Sequence, residues 1–326
     1  MKPILTIIFL FVLTVKLSAQ DITVSFKTND VNVVIDSIQA TNLNTNKTVI
    51  VSGSEILTLD STANVASCVL KRAALGKSLH YSTGNNILFT LYSGSNIRVM
   101  VNKPSESKTY EVAFFKCTDK DGRNYKTVTI GSQTWMAENL AYLPSVTPVE
   151  AYSSTEPCYY VYNYKGTTVS DAKITDGYAR YGVFYNWPAA LNVCPAGWHL
   201  PSVAEWITFT DYLKNNGYGL NGERGKNSNI MNALSSTSGW SSSPSPGSPG
   251  NDTFSNNSSG FSALPGGDYL YGYINHANDY GYWWFSTEAE ENENQAWSLL
   301  LGYRNPDVIR ITYSKEAGFS VRCIKD

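Results

Sequence analysis

A chain of 326 residues carries 25 Lys+Arg against 27 Asp+Glu, which excludes the basic field that holds nucleic acid. Charged residues are only 16% of it, while tyrosine reaches 22 and tryptophan 8, so the surface is made of Asn, Ser, Thr, Gly and Tyr, as in β-rich extracellular proteins. The five cysteines (Cys68, Cys117, Cys158, Cys194, Cys323) show no C-x-x-C spacing and only His80, His199 and His276 accompany them, which argues against a structural zinc site.

Residues 1–19 read as a cleavable signal peptide: Lys2, an apolar run over 4–15, then Leu17-Ser18-Ala19 before Gln20-Asp21. The run is too short for a transmembrane helix, and no cysteine follows it, so the mature chain is expected in the periplasm, at the cell surface or secreted, without an N-terminal lipid. No later run is long enough to span a bilayer.

Residues 20–116 alternate β-formers with turns. The runs 22–26, 31–35, 48–51, 87–92, 97–101 and 110–115 are expected strands of an all-β sandwich. Every tryptophan lies between Trp135 and Trp297, so composition changes near Cys117 and a second domain is expected over 117–326.

That second part opens with Asp119-Lys120-Asp121-Gly122, a hairpin-type turn, followed by strands over 125–130 and 134–136 around Gly131-Ser132-Gln133. The Asp-x-Asp-Gly spacing also begins some calcium loops, but no acidic residue closes this one. Ser202 with Glu205 forms a capping box, and Trp206, Phe209, Tyr212 and Leu213 continue a helix until Asn215-Asn216-Gly217 stops it. A short helix is expected over 226–234, a long surface loop over 239–260, and strands over 261–264, 283–287, 296–301, 308–312 and 318–323. The mixture is α+β.

Several of these segments together resemble a family. The run from Val128 through Thr134-Trp135-Met136-Ala137-Glu138-Asn139-Leu140, then Tyr181-Gly182-Val183-Phe184-Tyr185-Asn186-Trp187, Cys194-Pro195-Ala196-Gly197-Trp198-His199-Leu200-Pro201, Leu264-Pro265-Gly266-Gly267 and Phe319-Ser320-Val321-Arg322-Cys323 resemble the Fibrobacter succinogenes major paralogous domain over about residues 117–326. Members are exported bacterial envelope proteins of unassigned activity. The stretch 198–206 also looks like the helix entry of formylglycine-generating-type enzymes, which implies a C-type-lectin-like fold. The implied architecture is therefore a β-sandwich followed by an α+β C-type-lectin-like domain, with a disulfide between Cys194 and Cys323. Relatives often carry a cysteine where this chain has 176–180, so the partner of Cys158 is open between Cys117 and Cys68.

For function, a non-catalytic binding module comes first, presenting aromatic and polar loop residues to a glycan or an envelope protein. The segment 266–284 crowds Asp268, Tyr269, Tyr271, Tyr273, Asn275, Asp279 and Tyr282 together, with about half the tyrosines expected to be packing residues. Glu288, Glu290, Glu291 and Asn292 are candidate calcium ligands, set against a solvated acidic turn. No other cofactor is implied. A structural or assembly component of the envelope is the alternative. A formylglycine-generating-type oxidase needs a reactive cysteine pair near the C-terminus, where this chain has only Cys323. No hydrolase motif is present, and His199 reads as a structural, hydrogen-bonded histidine.

Overall fold

The computed structural model describes residues 21–60, 77–226 and 229–326; the expected signal peptide and Cys68 lie outside them. Side chains that alternate between apolar and polar build the first eight strands: β1 (Ile22–Thr28), β2 (Ser37–Asn42), β3 (Lys47–Ser52), β4 (Leu57–Asp60), β5 (Ser78–His80), β6 (Ile87–Ser93), β7 (Asn96–Asn102) and β8 (Lys108–Val112). One sheet runs β5-β4-β1-β8, and β7-β6-β2-β3 are consecutive in a second. Val24, Phe26, Leu57 and Leu59 of the first meet Ile38, Ala40, Ile87, Phe89 and Leu91 of the second in one core. Phe26 and Phe89 meet edge to face at 5.1 Å across it.

The expected strand over 31–35 does not form. The Thr28 hydroxyl donates to the Asp30 and Val33 carbonyls and the Asp30 carboxylate accepts from Asn32 N–H, so local side-chain bonds satisfy the backbone as a turn. Val31 is left exposed, and the strand begins at Ser37 instead. β4 and β5 carry too little hydrophobic signal to be expected from sequence.

The chain continues with β9 (Lys126–Ile130), β10 (Gln133–Met136), β11 (Tyr159–Tyr160), α1 (Val169–Lys173), α2 (Asp176–Tyr181), β12 (Phe184–Tyr185), α3 (Trp187–Ala190), β13 (Trp198–His199), α4 (Val203–Asn215) and α5 (Met231–Leu234). Six strands close it: β14 (Asp268–Leu270), β15 (Tyr273–Asn275), β16 (Tyr280–Glu288), β17 (Gln295–Gly302), β18 (Ile309–Ser314) and, after a non-strand passage, β19 (Ile324–Lys325). Most of the regular structure is strand. Among the described residues no helix is long and apolar enough to cross a membrane.

Neither the sheet nor the core breaks at residue 117: Val99 before it shares a core with Val128 after it. β9 pairs in parallel with β7 through Ile97↔Lys126, Arg98↔Thr127 and Val99↔Val128. The resulting eight-stranded sheet runs β13-β19-β10-β9-β7-β6-β2-β3. α4 lies against its β9–β10 part, burying Trp206, Phe209 and Leu213, with the Trp135 and Phe209 rings 5.0 Å apart. The capping box is present as expected: Ser202 accepts from Glu205 N–H, and the Glu205 carboxylate accepts from Ser202 N–H.

Four segments depart from expectation. The strand expected over 261–264 reduces to a single bridge from Ala263 to Ser235. The helix expected over 226–234 shortens to α5. The serine-, proline- and glycine-rich loop over 239–260 is a surface excursion only in part: residues 247–250, 256–257 and 259–260 are buried. Ser243 N–H donates to Gly250 carbonyl, Gly250 N–H to Tyr303 carbonyl, and the Asn256 amide to the Ser236 and Pro249 carbonyls, so hydrogen bonds replace apolar burial. Residues 318–323 form single bridges rather than a strand: Gly318 to Tyr269, Phe319 to Tyr185 and Ser320 to Trp283. The last segment therefore threads between separate elements, and the Cys194–Cys323 disulfide fastens it across a separation of 129 residues.

Candidate functional site

Asn186 of the Tyr-Gly-x-x-Tyr-Asn-Trp segment organises one side of the site. Fully buried, it donates to the Ser153 and Glu156 carbonyls at 2.7 Å and accepts from the N–H groups of Cys158 and Ala189. All its hydrogen-bonding capacity on the amide is thus spent fixing the 153–158 loop to the start of α3. An open cleft of about 450 Å³ lies beside it, lined by Thr155, Pro157, Tyr159, Trp187, Leu191 and Asn192. Lys315 packs over the Trp187 ring at 4.4 Å.

The β14–β15 hairpin forms the other side. Its two turn residues, Tyr271 and Gly272, have φ of 50° and 83°, the conformation of a tight primed hairpin turn. A tyrosine at positive φ costs on the order of 1 kcal/mol. His276 and Asn278 are also held at positive φ, at 58° and 68°. Backbone strain of this kind persists where the surroundings over-determine it, and it clusters at functional sites.

This geometry sorts the residues expected to bind. Tyr269 and Tyr282 are buried packing residues: Tyr269 stacks on Tyr160 at 3.9 Å and Tyr282 on Phe319 at 4.8 Å. Burial, with the charge of Glu150, pushes the Tyr269 phenol up to about 12. Tyr271 and Tyr273 are exposed at 57% and 69%. Asn275 and Asp279 are half-buried. Asp268 is not a surface ligand: its buried carboxylate accepts from the His276 ring at 2.8 Å and is 3.4 Å from the Asn275 amide. His276 is held by that carboxylate through Nδ1.

Sequence reading missed Tyr152, which comes from the loop that Asn186 fixes. It is half exposed and meets the Tyr271 ring edge to face at 5.1 Å. Nothing in the local sequence around Tyr152 points to a hairpin more than a hundred residues away. The pair makes one aromatic surface from two distant segments.

The expected calcium site is not assembled. Glu288 is held by Lys315 at 3.4 Å, Glu290, Glu291 and Asn292 lie in an exposed turn, and the Asn292 side chain accepts from Asn294 N–H. Among the described residues no three metal-ligating His, Cys, Asp or Glu side chains converge. At the other acidic turn the Asp119 carboxylate accepts from the N–H groups of Asp121 and Arg123 and, at 2.5 Å, from the Tyr125 hydroxyl, which makes it a turn former. Cys117 and Cys158 are buried thiols without a disulfide in the described residues. Burial, with Glu138 and Asp119 nearby, pushes the Cys117 thiol far up and leaves it unreactive. His199 is a structural residue, its ring nitrogens 2.7 Å from Glu205 and 2.6 Å from Asp326.

A β-rich protein with a tyrosine-bearing hairpin, its turn at positive φ, packed against the Tyr152 segment is the class that these features define. The family model of the Fibrobacter succinogenes major domain matches residues 128–325, and the chain belongs to that family. No curated protein and no solved structure matches it.

Proposed function

We propose that this is an exported, non-catalytic binding protein of the bacterial envelope, with a C-type-lectin-like arrangement over 117–326, that recognises a glycan through the surface around Tyr152, Tyr271 and Tyr273. The observation that supports it is two exposed tyrosines on a hairpin whose turn holds Tyr271 at positive φ, next to a third exposed ring. Tyrosine faces stack on the apolar faces of sugar rings, while Asn275, His276 and the residues lining the Trp187 cleft supply hydrogen bonds to hydroxyls.

A glycan array probed with the mature chain tests this. Binding is expected to one class of saccharide, and the Tyr271→Ala/Tyr273→Ala double variant should weaken it roughly tenfold or more, given about 0.5–1.5 kcal/mol per aromatic contact. No binding across the array, or equal binding by the variant, would overturn the proposal.

A second reading, assembly with an envelope protein, draws support from β3. Among the described residues it pairs only with β2 at the end of the large sheet, and Ile50 on it is exposed. An open edge is a template for strand addition. Under this reading the array stays blank and the mature chain captures a strand-donating partner that an Ile50→Pro variant loses, since the Ile50 backbone faces away from β2 and its carbonyl accepts from Lys77.

A further inference from the structure

A separate cleft of about 180 Å³ gathers basic side chains from four places in the chain. Arg123 follows the Asp119 turn, Lys126 opens β9, Arg180 lies in the last turn of α2, and Arg322 precedes Cys323. Glu138 is the single acidic residue in the lining, so four cations face one carboxylate. Among the described residues none of the four cations forms an ion pair.

Arg322 is the informative one. It is 2% exposed, and a buried guanidinium is costly unless an anion or a full set of acceptors meets it. Its acceptors are all neutral: Asn139 Oδ1 at 3.0 Å, the Phe261 carbonyl, and the Ser262 carbonyl at 2.8 Å, with the Phe261 ring 4.4 Å away. Three of the five N–H donors of a guanidinium are used in this way. Arg123 and Arg180 are held in place by rings rather than by acids, Arg123 over Tyr125 at 5.3 Å and Arg180 over Tyr181 at 5.3 Å.

We propose that this cleft binds one oxyanion group, a sulfate, phosphate or carboxylate, with Arg322 at its floor and Arg123 and Arg180 toward solvent. Planar guanidinium forks match such oxygens in pairs. The cleft is well below the roughly 300–1,000 Å³ of pockets for drug-sized ligands, so it takes an ion or a single charged substituent rather than a whole sugar ring. The site shares no lining residue with the tyrosine surface, so either proposal can fail without the other.

The test is calorimetric titration of the mature chain with sodium sulfate, sodium phosphate, glucose 6-sulfate and glucuronate, with sodium chloride at matched ionic strength as the blank. Saturable binding of at least one oxyanion, absent with chloride, is expected. Arg322→Ala removes the hub of a buried network, so Arg123→Glu and Arg180→Glu carry the test; each should weaken binding at least tenfold while the melting temperature in chloride stays unchanged. A free-ion site binds the inorganic anions as tightly as the sugar acids, and a substituent site prefers the sugar acids; both are the proposed chemistry. Binding no stronger than chloride, or binding retained in both charge-reversed variants, overturns it.

Discussion

Asn186 shows how much one side chain can organise. Its amide makes four hydrogen bonds from a fully buried position and joins the 153–158 loop, which leads to Tyr152, to α3. Asn186→Ala leaves two carbonyls and two N–H groups without that partner and should destabilise by about 2–4 kcal/mol, read by denaturant unfolding. A loss of under about 1 kcal/mol would mean that water replaces the amide. His199 adds a pH dependence. Burial lowers its pKa, but hydrogen bonds to Asp326 and Glu205 outweigh that and raise it above 6.5. Burial likewise raises Glu205, but bonds from the Ser202 N–H and from His199 bring it below 4.5. The His199 contribution is complete below its unfolded pKa and is lost as pH rises through the raised folded value; the Glu205 contribution is complete above its unfolded pKa and is lost as pH falls through the depressed one. Melting temperatures of the protein and of His199→Gln should therefore differ most between pH 4.5 and 6.5 and converge in alkali. A gap that does not vary with pH would contradict this.

Among the elements, α4 was legible because its signals are local: a cap, an acid three residues on, and a helical apolar stripe. The 239–260 loop was not. Its composition predicts solvent exposure, yet the structure buries residues 247–250, 256–257 and 259–260 among hydrogen bonds made possible by small residues. At Gly250 an added Cβ would sit 2.0 Å from the Ser241 carbonyl oxygen. Gly250→Ala should accordingly cost roughly 1–3 kcal/mol, measured by chemical denaturation, because backbone must move to admit a methyl group. The 31–35 run failed as a strand for a related reason: Thr28 and Asp30 offer its backbone a local alternative. The β14–β15 hairpin was half legible. Its crowd of tyrosines is plain in sequence, but which ring faces water depends on the Tyr160 and Phe319 rings that cover Tyr269 and Tyr282.

Over the whole molecule, two long-range links hold the parts together. The Cys194–Cys323 bridge closes a loop of 129 residues, and in the chain-entropy model it is worth about 4–5 kcal/mol. Cys194→Ser/Cys323→Ser should lose stability of that order in denaturant titrations, while native alkylation leaves the buried Cys117 unmodified. The β7–β9 pairing is the second link, with Val99 and Val128 in one core. A chain reduced to residues 117–326 should expose the β9 edge and self-associate in size-exclusion chromatography where the full mature chain does not. Monomeric behaviour of the fragment would show that β7 is dispensable.

By itself the sequence determined what depends on neighbours in the chain: the strand-rich character, the capping box of α4, the turn at Asp119, and family membership through ordered motifs. Tertiary structure alone decided what depends on distant partners. It selected Tyr271 and Tyr273 over Tyr269 and Tyr282, brought Tyr152 to them, left Glu288, Glu290, Glu291 and Asn292 unassembled, and gathered four cations into one cleft. Exposure and charge convergence are properties of packing between segments, and no local spacing encodes them.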